Sequence, residues 1–141
     1  MLMGVYLEFV VLGPPISNQQ SKIPGKKKLE AWRARVAGEA QIQWPRPLLM
    51  GELKAIIINF FAGDRPSVDV DNMSKPILDA MQAVVYHDDR QIRQAELIHS
   101  RIGAPYSVVG TSQVILNALH AGQQFVYVRV ENSIVPYPLP T

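Results

Sequence analysis

Residues 52–62 read ELKAIIINFFA, and residues 69–91 read DVDNMSKPILDAMQAVVYHDDRQ. The first stretch is short, β-branched and apolar on both of its alternating sets. It predicts a strand that is central in a sheet or covered at an interface. In the second stretch Ile77, Ala80, Met81, Val84 and Val85 recur at helical spacing and predict a helix near 73–86. Pro76 suits only the first turn of such a helix, where amide donors lack intrahelical partners, which places the N-cap at Asn72 or Ser74. Gly63 to Val68 reads as the loop between the two elements, and His87 to Arg90 as a turn leading into a strand over 92–101.

Working outward, residues 4–12 (GVYLEFVVL) read as a first strand, stopped by Gly13, Pro14 and Pro15. A polar loop follows through Gly25. Leu29, Trp32, Val36 and Ala40 then mark one face of a helix over 28–44, which Pro45 and Pro47 end. Residues 107–121 are ambiguous between loop and short helix, and 125–131 (FVYVRVE) read as the last strand. Pro136, Pro138 and Pro140 make the tail extended. The expected fold is α/β (α+β): two layers, a mixed sheet of about four strands and two main helices. One domain is expected over 1–131, followed by a proline-rich tail over 132–141.

The chain has 141 residues, the size of one domain, with 48% apolar and 18% charged residues. It has no cysteine, which excludes disulfide scaffolds, zinc–thiolate sites and thiol nucleophiles. No apolar run approaches the roughly 20 residues needed to span a bilayer, and MLMGVYLEFVVLG lacks the pattern of a secretory signal. A cytoplasmic protein with no membrane partner is expected. No Walker loop or G-x-G-x-x-G is present, and Ser17, Ser67 and Ser74 have no evident base. An EF-hand starting at Asp69 fails, because Met73, Ser74 and Ala80 stand where an oxygen ligand, Gly and Glu belong.

The net charge of +2 conceals a polarised layout. Lys22, Lys26, Lys27, Lys28, Arg33 and Arg35 crowd one segment in which Glu30 is the only acid. Such a segment attracts polyanions, phosphate backbones above all. Every aspartate falls between Asp64 and Asp89. Asp69 and Asp71 lie two apart, and in an extended segment both would face one hard cation. Lys75 would hold a phosphate as a point charge, and Asp79, four residues on, would orient it. Asp88 and Asp89 follow the helix, and spacing alone does not say whether they return to the first pair. Each of these residues also has a plainer reading. Asp71 or Asn72 would cap the helix, Asp79 would pair with Lys75 on the surface, and Asp88 and Asp89 would be turn residues. His99 and His120 read as structural, and His87 as a turn residue beside Asp88.

Asp69-Val70-Asp71-Asn72, Lys75, Leu78-Asp79-Ala80 and Asp88-Asp89-Arg90-Gln91, in that order, resemble the RusA family of Holliday-junction resolvases. Pro14, Pro15, Ser17 and Asn18 resemble the family's loop after its first strand. The likeness covers roughly 5–102 and resumes at the last strand; residues 103–124 and the tail depart from it. The resemblance implies a RusA-like fold and a homodimeric, magnesium-dependent endonuclease, with manganese as a substitute, that nicks four-way DNA junctions symmetrically in recombination and repair. Asp69, Asp71 and Asp89 match the family's metal-binding catalytic carboxylates, and Lys75 its important lysine. Asp88 would be a candidate helper ligand, with Asp79 and Asn72 in support. Lys22, Lys26, Lys27, Lys28, Arg33 and Arg35 would contact DNA phosphates. By family analogy a phage or prophage is a natural home. The competing expectations are a module that binds branched or single-stranded DNA without cutting it, and an interaction protein using strand 53–61 and the tail.

Overall fold

The computed structural model describes residues 4–22, 24–107, 109–134 and 136–141. Four strands, β1 (Val5–Leu12), β2 (Leu53–Phe61), β3 (Ile92–Arg101) and β4 (Phe125–Asn132), form one sheet in the order β1-β4-β2-β3. β4 runs antiparallel to both its neighbours, and β2 and β3 are parallel. The helices are α1 (Lys26–Gln43), α2 (Val70–Met81) and α3 (Gln113–Ala121), with 3-10 turns at Asn18–Ser21 and Asp89–Gln91. The sheet is mixed and the fold is α+β, as expected.

The two faces of the sheet follow from the period-2 alternation of each strand. Val126, Val128 and Val130 of β4, with Leu7, Phe9, Leu53 and Ile57, pack under Trp32 and Val36 of α1 and under Met73, Ile77 and Met81 of α2. Each such side chain contributes roughly 1.5–3 kcal/mol when fully buried. Phe60, Phe125 and Tyr127 face the other way, where Ile115, Ala118 and Leu119 of α3 meet them. The ambiguous segment 107–121 is therefore helical over its second half, and it caps one end of the second face. Ser112 starts that helix as a side-chain N-cap, and Gly122, at φ +78°, ends it in the left-handed region. The other end of that face is polar. Lys54 lies 2.9 Å from Glu96 and 3.8 Å from Glu131, and Arg129 lies 3.5 Å from Glu8.

α2 differs from its expected course at both ends. It begins at Val70, with Asp69 as N-cap, not at Asn72 or Ser74. Pro76 therefore sits in the second turn and leaves the Asn72 carbonyl without its intrahelical donor. Burial outweighs that loss, since Met73, Pro76, Ile77 and Met81 are all buried. The helix stops at Met81 and does not run to Tyr86. Ala83 adopts φ +65°, its amide donates to the Tyr86 carbonyl at 2.7 Å, and the Leu49 amide donates to the Val85 carbonyl at 2.7 Å. The segment around Leu49 thus offers Val85 and Tyr86 a strand-like partner, which β-branched Val84 and Val85 favour over another helical turn. Buried Tyr86 fastens the turn by donating its hydroxyl to the Leu78 carbonyl at 2.7 Å.

After β4 the chain crosses the end of β2 to reach β3. The Gln94 side chain accepts from the Ile134 amide at 2.9 Å and donates to the Ile134 carbonyl at 3.3 Å. The Ser133 amide donates to the Glu52 carbonyl at 3.3 Å.

Candidate active site

A β2–α2–β3 crossover sets α2 against the sheet, so its two ends lie at opposite ends of the parallel strands. At the N-terminal end Asp69 closes the loop from β2, and its carbonyl accepts from the Met73 amide at 2.9 Å. Its carboxylate makes no capping bond. Asp71 stands in the first turn, so the two aspartates flank a helix start and are not spaced along an extended segment as expected. Both are exposed, and among the described residues neither carboxylate has a hydrogen-bond or ion-pair partner. Negative charge here is favoured by the helix dipole. Asn72 is half-buried behind them, and Ser74 donates to the Asp71 carbonyl at 3.0 Å. Lys75 is exposed one turn after Asp71, and its Nζ lies 3.1 and 3.2 Å from the two oxygens of Asp79.

At the C-terminal end one aspartate, Asp88, is committed to structure. Asp88 N-caps the 3-10 turn with a reciprocal capping box to Gln91. Its Oδ1 accepts from the Arg90 amide at 2.8 Å and from Nε at 3.1 Å, and Oδ2 from Nη2 at 2.9 Å. These bonds, the Arg90 side chain first, hold its carboxyl down at about 2. The Asp89 carboxyl lies beside that of Asp88, and its amide donates to Gln82 Oε1 at 3.1 Å. Gln82 is the C-cap of α2. The Asp89 amide is thus anchored by the C-cap of α2, while its carboxyl acts with that of Asp79 on the Tyr86 hydroxyl, which sits at the Leu78 carbonyl. Among the described residues no three His, Cys, Asp or Glu side chains are grouped to hold a metal ion. Two unpartnered carboxylates do suit a hydrated magnesium ion, which takes one or two carboxylates with water and substrate oxygens.

The basic segment is divided. Lys22 is exposed ahead of α1, and Lys26, Lys27 and Lys28 are exposed in its first turn, with no acid there and no side-chain cap from Gly25. Three lysines on the positive end of a helix dipole oppose helix formation and concentrate positive potential. Gly25 is closely approached: a Cβ would stand 1.9 Å from Gln20 Oε1, the tip of a side chain that would have to turn aside. Arg33 and Arg35 are engaged within the fold. Arg33 Nη2 lies 3.6 Å from Asp79 Oδ2, while Arg35 donates to the Leu12 carbonyl and stands over the Trp32 ring. The Arg33–Asp79 link was missed in the sequence, although Leu29, Trp32 and Val36 place Arg33 beside a buried stripe.

His99 is half-buried, with Nδ1 3.2 Å from Asn59 Nδ2. Asn59 is the buried polar residue of β2, and its Oδ1 and the His99 Nε2 have no partner among the described residues. A lone Asn in the run IIINFF was its signal. His87 and His120 are exposed, and the His87 amide donates to Gln91 Oε1 at 2.9 Å.

The family model of endodeoxyribonuclease RusA matches residues 13–106. The chain belongs to the RusA family. The matched span holds α1, β2, α2 and β3, and with them every candidate from Lys22 to Asp89. α3 and β4 lie beyond it, so the likeness at the last strand is not part of the RusA match. A search of curated proteins gives no match. None of the helices among the described residues is long and apolar enough to cross a membrane.

Proposed function

We propose that the chain is a magnesium-dependent endonuclease that resolves four-way DNA junctions by paired symmetric cuts, acting as a homodimer in recombination and repair. The observation that carries this reading is the pair of exposed, unpartnered carboxylates, Asp69 and Asp71, one turn from Lys75 within the RusA match. Asp69 and Asp71 would hold magnesium, or manganese in its place, and the ion would polarise a phosphate oxygen and make a water more acidic. Asp89 and Asp88 are the further ligands that the family resemblance implies. Lys75 Nζ donates to a non-bridging oxygen of the scissile phosphate and offsets charge that develops there. Lys22, Lys26, Lys27 and Lys28 bind backbone phosphates away from the cut. They carry no base information, so junction shape dominates recognition. Two copies related by a two-fold axis would present two such ends to opposed strands. A phage-encoded protein working in the host cytoplasm fits this activity.

One observation favours a second reading, a module that binds branched or single-stranded DNA without cutting: among the described residues no three carboxylates are grouped to hold a metal. A labelled four-way junction and a linear duplex of the same sequence separate the two. With magnesium, paired nicks on the junction alone are expected, and Asp71→Asn lowers the rate by about 10²–10³-fold while leaving binding in place. Binding with no cut under magnesium or manganese would leave only the second reading. Five exposed lysines on phosphates, Lys75 among them, predict a slope of log K against log salt of about −4.5 per protomer.

A further inference from the structure

Asp79 is shared by cations from two helices. It accepts from Lys75 on its own helix at 3.1 Å and lies 3.6 Å from Arg33 Nη2 on α1. An exposed i,i+4 pair contributes little to stability by itself. The third member changes what the cluster is able to do. Arg33 Nε is buried and has no acceptor among the described residues, so the donors open to an incoming anion are those of its terminal nitrogens. A guanidinium carries five N–H donors in a fixed fork, and Asp79 engages this one only at long range. Lys75 keeps 56% of its side chain exposed, and Arg33 keeps 36%. Two cations around one carboxylate retain a net positive charge and unspent donors that converge between α1 and α2. The chemistry that completes such a set is a phosphate oxyanion, which takes the arginine fork bidentately and the lysine as a point charge.

We propose that Arg33 and Lys75 form one phosphodiester clamp across α1 and α2, with Asp79 as the positioning residue that sets the distance between the two cations. The clamp rests on the reading above that Lys75 meets a DNA phosphate. Arg33 thereby leaves the set of general backbone contacts and acts at the same phosphate as Lys75. The role of Asp79 has a signature that charge alone does not give. Its negative charge opposes an anion, so a purely electrostatic role means that Asp79→Asn tightens DNA binding and changes nothing else. A positioning role means that Arg33 and Lys75 stop acting as a unit.

The test is a double-mutant cycle in the affinity of the full chain for a fluorescent four-way junction in EDTA. Arg33→Gln and Lys75→Gln keep the side-chain stems, and thermal unfolding of each variant verifies that it is folded. Each single change weakens binding by about tenfold, and both together by about 20-fold, not the hundredfold expected of independent contacts. In the Asp79→Asn background the two effects multiply, and Asp79→Glu restores part of the coupling. Multiplying effects in the unaltered background would overturn the clamp. Coupling that survives Asp79→Asn would overturn the role of Asp79. Cleavage with magnesium is measured separately. Coupled binding without cutting keeps the clamp and removes the nuclease reading, cutting with multiplying effects does the reverse, and absence of junction binding removes both.

Discussion

The two ends of α2 carry the same residue type in opposite conditions. At the N-terminal end Asp69 and Asp71 are exposed and their carboxylates have no partner among the described residues. At the C-terminal end Asp88 is saturated by Arg90, whereas Asp89 is fastened only through its amide to Gln82, and its carboxylate has no hydrogen-bond or ion-pair partner among the described residues. A carboxylate that spends its lone pairs on the fold has little left for a ligand. One left unpaired is available to a ligand, and here the helix dipole makes its negative charge tolerable without one. Aspartates count as candidates by what they are not already bonded to, more than by their spacing.

The largest effect expected on this contrast falls on the saturated end. Gln91 accepts from the His87 and Asp88 amides at 2.9 and 3.1 Å and donates to the Leu49 and Gly51 carbonyls at 3.0 and 3.1 Å. Gln91→Ala should remove about 2–4 kcal/mol, read as a drop in urea midpoint with unchanged slope. A loss as small as that of a surface substitution would show that this end is not the structural one. A smaller effect belongs to the open end. Magnesium at about ten times its dissociation constant should stabilise the chain by about 1.4 kcal/mol, seen as a rise in Tm that Asp71→Asn abolishes. An equal rise in the variant would place the ion elsewhere. The smallest sharpens the boundary of the helix. Ala83 holds φ +65°, so Ala83→Gly should add about 0.5–1 kcal/mol in the same denaturant titration.

The sheet was legible because its strands obey one rule each. β2 and β4 are runs of β-branched and aromatic residues, and both lie within a residue or so of the stretches read for them. α1 was legible from Leu29, Trp32, Val36 and Ala40, all four of them buried. The course of α2 was not. Pro76 argued for a late start, and its buried ring shows packing overriding local chemistry. Val84 and Val85 continued the helical period, yet the pairing of Val85 with Leu49 is a contact between distant segments that periodicity does not encode. The same holds for the site. Asp79 with Lys75 follows from i,i+4 spacing, whereas Arg33 reaches Asp79 only because α1 and α2 pack together. Where Asp89 lies depends on the turn after α2, and whether it returns to Asp69 and Asp71 is what spacing left open.

The hold of Gln94 on Ile134 bears on how the sheet yields. A side-chain amide presents N–H donors beside a carbonyl acceptor, much as a peptide unit does, and Ile134 meets one of each. The residues after β4 therefore stitch it to edge strand β3 across β2. β3 cannot peel away while Ser133 and Ile134 stay in place. Local unfolding of that edge is then a concerted event, and the amide hydrogens of Ile92 to Leu97 exchange with solvent at the rate at which the tail lifts.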